Sequence, residues 1–335
     1  MDSWQDIQKE IIQAGAKKGL PADFDGVRRE SYNALTSATG RPLIVYASAF
    51  HIPGKAQAAG GMLSIDLGDK EGFQEVVRNI DAKEVDVFLH SPGGSAEATE
   101  SLVKILRAKF TDVRFIITGS AKSAATMLAM SGNSLLMTDA AELGPTDPQE
   151  ILGTGRPSPA GAILEQFARV KKEVAKDPAA IGSWLPILQQ CGPSLFIECE
   201  NHIKLSEKLV ATWLEKYMFS ATPADAQKKA KKLASYLSKH SNFLSHGRRV
   251  DRKDILDQGA IVQRVEDLPA NVYRAIIRTH LAIMATFDGT GAVKLFENSS
   301  GAALIRMVQQ QPIPFPLLGG FPGQQQPLRI NPPST

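Results

Sequence analysis

Short apolar runs alternate with longer helical patterns through the middle of the chain. Residues 85–89, 113–118 and 134–138 are compact β-type runs, and residues 95–109 and 122–132 between them have the apolar spacing of helices. Because strands that alternate with helices form parallel βαβ units, this series predicts an α/β fold built on a parallel sheet. Ligands of such folds bind beyond the carboxyl ends of the strands.

The patterns on either side of this series divide the chain into four parts. Residues 4–38 have helical spacing with a break at Pro21, and a β-type run follows at 43–48. Long helical patterns occupy about 159–177, 193–219 and 223–239, and another occupies about 269–285. We therefore expect an N-terminal helical arm (1–39), a main domain (40–268) with a helical insertion at about 159–240, a C-terminal helical segment (269–310) and a disordered Gln/Pro-rich tail (311–335).

Composition narrows the possible partners. The 335 residues are 43% hydrophobic, and 38 basic and 35 acidic residues leave a net charge of only +3, so no nucleic-acid partner is indicated. The two cysteines have no His/Cys cluster near them in the sequence, and no apolar run near the start could span a bilayer. No cofactor or metal motif is present. A cytoplasmic protein without a membrane span, cofactor or metal is the expectation.

Two turns that follow successive strands carry the candidate chemistry. Gly94 lies in the Ser-Pro-Gly-Gly turn after strand 85–89, and Ser123 lies at the start of the helix after strand 113–118. Acyl transfer requires a nucleophile and backbone N–H donors directed at the developing oxyanion. We predict Ser123 as the nucleophile and the N–H groups of Gly94 and Ala124 as the oxyanion hole. Either turn alone is equally typical of an ordinary strand end.

Three sequence blocks resemble a known family. His-Ser-Pro-Gly-Gly-Ser (90–95), Ala-Lys-Ser-Ala-Ala-Thr (121–126) and Glu-Leu-Gly-Pro-Thr-Asp-Pro-Gln (142–149) are similar to the signature blocks of the serine dehydrogenase proteinase family. That family belongs to the ClpP/crotonase superfamily and is related to signal peptide peptidase A, and the segment 247–262 is similar to its late block. The resemblance implies a ClpP/crotonase-like fold with repeated ββα/βαβ units, a peptide or protein substrate, and a homo-oligomer with the helical insertion as a plausible interface.

The general base is not selected by the sequence. Clp-type peptidases carry a histidine after the serine, but residues 143–148 contain none, so their triad cannot be carried over. Lys122 adjoins Ser123, yet neighbouring side chains at a helix start point about 100° apart. Asp147 could orient a base or a water, and His246 precedes the late block. A lysine dyad, as in signal peptide peptidase A, is favoured over a triad, with possible equivalents on the following helix at Lys171, Lys172 and Lys176.

The resemblance leaves three functions open. A serine peptidase is the leading one. A weakly active or inactive scaffold or regulatory oligomer is the second, because the histidine is missing and Ala125 stands where relatives usually have glycine. A crotonase-type acyl-CoA enzyme is the third, although an enolate site would not require Ser123.

Overall fold

A seven-stranded mixed sheet organises the molecule. The computed structural model describes residues 3–153 and 155–308. The sheet strands are β1 (Leu43–Ser48), β2 (Glu84–His90), β3 (Asp112–Ile117), β5 (Ser134–Met137), β9 (Val262–Arg264), β10 (Ala292–Asn298) and β11 (Ala303–Met307). Their order in the sheet is β11-β10-β1-β2-β3-β5-β9. Neighbouring strands from β1 to β9 in this order are parallel, whereas β10 pairs antiparallel with β1 and β11.

Two small strand pairs lie outside this sheet. A parallel pair joins β4 (Ser120–Ala121) and β6 (Glu142–Leu143), and an antiparallel pair joins β7 (Gln149–Ile151) and β8 (Pro157–Pro159). The first pair fixes the turn that follows β3.

Twelve α-helices surround the strands within the described ranges. They are α1 (Trp4–Lys17), α2 (Phe24–Thr39), α3 (Pro53–Ala59), α4 (Asp69–Arg78), α5 (Ala96–Lys109), α6 (Ala124–Ala129), α7 (Ala160–Lys176), α8 (Ile181–Leu188), α9 (Leu195–Trp213), α10 (Pro223–Ser238), α11 (Arg252–Asp257) and α12 (Ala270–Gly289). A π-helical turn, Leu214–Met218, extends α9. None of the helices among the described residues is long and apolar enough to cross a membrane.

Both faces of the sheet are buried, which explains the continuous apolar runs of its strands. Along β1, Ile44 and Tyr46 face the core beneath α4, α5 and α6, whereas Leu43 and Val45 face the core beneath α2 and α12. Parallel sheets covered on both faces have this pattern. The expected α/β fold is therefore confirmed, with the predicted strands and helices of the βαβ series in place.

The N-terminal arm packs onto α12 and β10. Helices α1 and α2 both contact α12. The buried guanidinium of Arg28 on α2 binds the carboxylate of Glu297 on β10, with 2.5 Å between Nε and Oε2, and Tyr32 donates to the same Oε2. Charge pairing allows these polar side chains to lie in the core.

The C-terminal segment differs from the expectation. Only α12 is helical; residues 292–307 instead form β10 and β11, which extend the sheet beyond β1. The sequence did not predict β10 because two charged residues, Lys294 and Glu297, interrupt its apolar pattern although both are buried. The tail predicted at 311–335 lies outside the described residues.

Candidate active site

The turn after β3 holds Ser123 in an unusual backbone conformation. Its φ is 50° and its ψ is −121°, a region that non-glycine residues rarely occupy. The surrounding bonds enforce it: the Thr126 hydroxyl donates to the Ala121 carbonyl over 2.7 Å and accepts from the Gly144 N–H over 2.9 Å. Strain of this kind persists only where neighbours over-determine the conformation, and it concentrates at functional sites.

The glycine turn after β2 lies directly against the serine turn. Ser91 bridges Ala121 in parallel fashion, so pairing continues past the ends of β2 and β3. Gly93 has φ +96°, and a Cβ there would lie 2.8 Å from the Ser123 Cβ. Gly94 has φ +152°, and a Cβ there would lie 2.3 Å from the Ile65 carbonyl oxygen. Only glycine fits at these two positions, because both the conformation and the space exclude a side chain.

Two backbone N–H groups at this junction are free to bind a ligand. Gly94 forms an isolated parallel β-bridge with Ile65. The two hydrogen bonds of this bridge involve Gly93 and Ser95, since the Ile65 N–H donates to the Gly93 carbonyl and the Ser95 N–H donates to the Ile65 carbonyl. Within the described ranges, the N–H groups of Gly94 and Ala124 donate to no acceptor, and the Ser123 hydroxyl has no hydrogen-bond partner. The Ser123 hydroxyl and the two N–H groups thus lie at the same junction, and each can form a hydrogen bond with a ligand.

A cavity of about 540 Å³ joins these groups to a histidine. Gly94, Ser123, Ala124, Asp147 and His246 all line it. The structure therefore brings together five of the six site residues that the sequence singled out.

Asp147 anchors His246 in this cavity. The carboxylate side chain is only 1% exposed, and its Oδ1 lies 2.7 Å from the Nδ1 of His246. An ionised carboxylate accepts hydrogen bonds and cannot donate them, so Nδ1 carries the proton. The Nε2 of neutral His246 then has a free lone pair, which is what a general base requires.

The same carboxylate holds a second histidine. Asp147 Oδ2 lies 3.1 Å from the Nδ1 of His240, and it also accepts from the side-chain amide of Gln149 over 3.1 Å. The Asp147 backbone is fixed on both sides, because Thr146 donates to the Leu237 carbonyl and Ala160 donates to the Pro148 carbonyl. The helical insertion thus clamps this loop.

The sixth predicted residue, Lys122, is engaged elsewhere. Its ammonium nitrogen lies 3.0 Å from Glu142 Oε2 and 3.2 Å from the Leu143 carbonyl oxygen. Glu142 also accepts from the Ser120 hydroxyl. No lysine is among the described residues that line the Ser123 cavity, and the three lysines considered on α7 are exposed: Lys171, Lys172 and Lys176.

A second histidine–carboxylate pair also lines this cavity. His202 Nδ1 on α9 lies 2.6 Å from Glu150 Oε1 on β7. Among the described residues, no group of three or more His, Cys, Asp or Glu side chains is placed to hold a metal ion. The cavity is thus equipped for proton transfer and hydrogen bonding.

His90 contacts the turn that carries Ser123. It ends β2, and its Nδ1 accepts from the Ser120 N–H over 3.3 Å, so its proton lies on Nε2, which faces His51. Burial, together with His51 and His280, lowers its pKa to about 3. His90 is therefore neutral and supports the serine turn from behind.

Sequence reasoning missed His240, His202, Glu150 and the steric role of Gly93. His240 and His202 lie in helical regions whose local sequence resembles ordinary amphipathic surface, and they reach the site only through the packing of the insertion. Gly93 carried a detectable signal, since a Gly-Gly pair after a strand indicates a close backbone approach.

One known protein family matches the part of the chain that carries the serine and glycine turns. Residues 62–183 match the family of ClpP-like SDH-type serine proteinases. The match confirms the predicted family for this part of the chain, which contains Gly94, Ser123 and Asp147 and ends before His246. Members of the family are serine proteinases by description.

Two curated relatives each match about a third of the chain. Both are uncharacterized proteins of Methanocaldococcus jannaschii: one is 35% identical over 115 residues, covering 33% of this chain and 38% of the relative. The other is 30% identical over 111 residues, covering 32% and 36%. The match thus spans less than two-fifths of either relative.

Solved structures of one protease also align with the chain. A lysine-to-alanine mutant of the 1510-N membrane-bound stomatin-specific protease, in complex with a substrate peptide, aligns with a TM-score of 0.35 at 14% identity, covering 60% of this chain and 71% of that one. A serine-to-alanine mutant of the same protease aligns with a TM-score of 0.36 at 15% identity, covering 60% and 75%.

Proposed function

We propose that the chain is a serine peptidase in which Ser123 is the nucleophile and His246 is the general base. One observation carries this proposal: a strained serine, two free N–H groups and a histidine anchored by a buried carboxylate line a single cavity. A nucleophile, a base and oxyanion donors are the parts that acyl transfer uses.

The proposed reaction uses all of these parts. The Ser123 hydroxyl attacks the peptide carbonyl carbon while its proton passes to His246 Nε2, and the N–H groups of Gly94 and Ala124 bind the resulting oxyanion. The imidazolium then donates its proton to the leaving amine, which leaves an acyl-enzyme for water to hydrolyse. Asp147 keeps the imidazole in the required tautomer. In catalytic sites without substrate, the hydrogen bond between the nucleophile and its base is often long, and it shortens when substrate binds.

This assignment replaces the lysine dyad that the sequence favoured. Its support is the placement of the lysines: Lys122 is paired with Glu142, and the cavity lining described above contains histidines. Asp147 keeps the orienting role considered for it.

A fluorophosphonate probe tests the nucleophile. The wild type should be labelled, and Ser123→Ala should abolish labelling because the reactive hydroxyl is gone. Ser120→Ala is the matched control, since Ser120 lies in the same turn but donates to Glu142, and it should still be labelled. Persistent labelling of Ser123→Ala would exclude Ser123 as the nucleophile.

The scaffold alternative is supported by one feature, the absence of any hydrogen-bond partner of the Ser123 hydroxyl among the described residues. If the wild type neither reacts with the probe nor cleaves peptide or ester substrates, the scaffold function is preferred. The acyl-CoA alternative has no comparable support, because the anchored histidine and the serine are not needed for an enolate.

We also propose a peptide or protein substrate and a homo-oligomer, as the family resemblance implies, and a cytoplasmic location, as the composition of the sequence suggests. Supporting the oligomer, α8 in the insertion exposes a cluster of large apolar side chains, Ile181, Leu185 and Ile187. Such clusters commonly mark contact surfaces.

A further inference from the structure

The buried carboxylate of Asp147 contacts two imidazoles at once. His246 Nδ1 approaches Oδ1 at 2.7 Å, and His240 Nδ1 approaches Oδ2 at 3.1 Å. Because a carboxylate accepts at both oxygens, each imidazole donates from Nδ1 and both are held in the same tautomer. The proposed catalytic mechanism uses only one of these contacts, so the second requires its own explanation.

The two histidines lie in different environments. His246 lines the Ser123 cavity, whose other titratable side chains are Glu97, Glu150 and His202. His240 instead lines a separate surface cavity of about 420 Å³ with Glu165, Glu207 and Lys239. Asp147, with its 1% exposed side chain, is the link between the two cavities.

We propose that His240 is a positioning residue that sets the basicity of His246 through the shared carboxylate. This inference rests on the proposed function only for its catalytic consequence. The His240 hydrogen bond withdraws part of the negative charge from Asp147, which would otherwise stabilise the His246 imidazolium more strongly. When His240 is itself protonated, repulsion between the two cations acts in the same direction. His240 therefore makes His246 less basic than it would be beside an unshared aspartate.

The test follows the titration of His246 by NMR of isotope-labelled imidazoles, with its signal assigned by its loss in His246→Gln. In His240→Leu the titration midpoint of His246 should rise by roughly half a pH unit or more. His240→Asn retains a neutral donor near the position of Nδ1 and should give a midpoint between those of the wild type and His240→Leu. His280→Asn, on the other face of the sheet, is the control and should leave it unchanged.

A His246 midpoint that stays the same or falls in His240→Leu overturns the proposal. Asp147→Asn gives a second reading that does not depend on the folding of His240→Leu: the midpoints of His240 and His246 should fall together, and a fall for His246 alone contradicts a shared carboxylate.

Activity separates this inference from the proposed function. If the enzyme is active, the acid limb of its kcat/KM profile should move to higher pH in His240→Leu, a change that a merely structural role would not produce. If the midpoints shift as stated in a protein that the fluorophosphonate probe does not label, the shared carboxylate stands and the peptidase proposal fails.

Discussion

Ser123 and His246 come from distant parts of the chain and line the same cavity. Different interactions hold each of them in place. Ser123 is held by its own turn, whose conformation follows from the packing of Gly93 and the bonds of Thr126. His246 is held by a side-chain contact to Asp147, 99 residues away in sequence. Its proposed catalytic role therefore depends on that single anchored tautomer.

A pair of substitutions distinguishes histidine from lysine as the base. His246→Gln should lower kcat/KM by about 10²–10⁴, the usual contribution of a general base. Lys122→Gln should lower it by less than about tenfold, because a neutral donor can still reach Glu142 or the Leu143 carbonyl. Steady-state hydrolysis of a peptide substrate measures both. A large loss in Lys122→Gln with an active His246→Gln would restore the lysine dyad.

Whether a site residue could be predicted from the sequence depends on how far along the chain its interaction partners lie. Ser123 and Gly94 could be inferred because strand ends, glycine pairs and helix starts are local patterns. His240 could not, since nothing near it in sequence marks it and its partner Asp147 lies 93 residues away. Asp147 and His246 could be considered individually, but their contact is a product of tertiary packing.

At the scale of elements, the strands that carry the site were the most predictable part of the fold. Strand β1 is an apolar run and β2 and β3 each contain one (87–89 and 115–117), whereas the apolar pattern of β10 is broken by two buried charges and did not predict a strand. Each of these charges has a partner: Lys294 binds Asp69 at the start of α4, and Glu297 binds Arg28 on α2. Paired charges thus dock two helices onto one strand.

The Lys294–Asp69 pair offers a test of this docking. Both side chains are fully buried, Nζ lies 2.8 Å from Oδ1, and the Tyr46 hydroxyl also donates to Asp69. Lys294→Met should destabilise the fold by about 3 kcal/mol, because it leaves the buried carboxylate with only the more distant Arg306 guanidinium, 3.7 Å away, as a cation. Adding Asp69→Asn should recover much of that loss. Urea denaturation measures each variant, and a double variant as unstable as Lys294→Met would show that the charge imbalance is not the cause.

At the scale of the whole molecule, the helical insertion and the segment that follows it complete the site that the sheet begins. The sheet presents Ser123 and Gly94 at its carboxyl edge, while α9 contributes His202 and the segment after α10 contributes His240 and His246. The sequence indicated the insertion but not which of its faces points inward, because amphipathic helices alone do not specify their neighbours. The candidate base is therefore supplied only after long-range packing is complete.

On the side of the sheet covered by α12, two buried histidines make the whole fold sensitive to acid. Burial and the neighbouring His51 lower the pKa of His280 to about 4, and His90 has a pKa of about 3. In the unfolded chain both return to the ordinary value of 6.5. Between these values the unfolded state binds more protons, so stability is lost as the pH falls below 6.5.

Replacing His280 should remove part of this sensitivity. At pH 5 the histidine costs about 2 kcal/mol relative to neutral pH, because about 1.5 pH units separate that pH from its unfolded pKa. His280→Asn should therefore reduce the difference in unfolding free energy between pH 7.5 and pH 5 by about 2 kcal/mol, as measured by urea denaturation at both pH values. Thr118→Val removes the 2.9 Å contact to His280 Nδ1 but keeps the titrating group, so it should lower stability at both pH values and preserve the difference. An equal pH dependence in His280→Asn and the wild type would show that His280 charges as readily in the folded protein as in the unfolded chain.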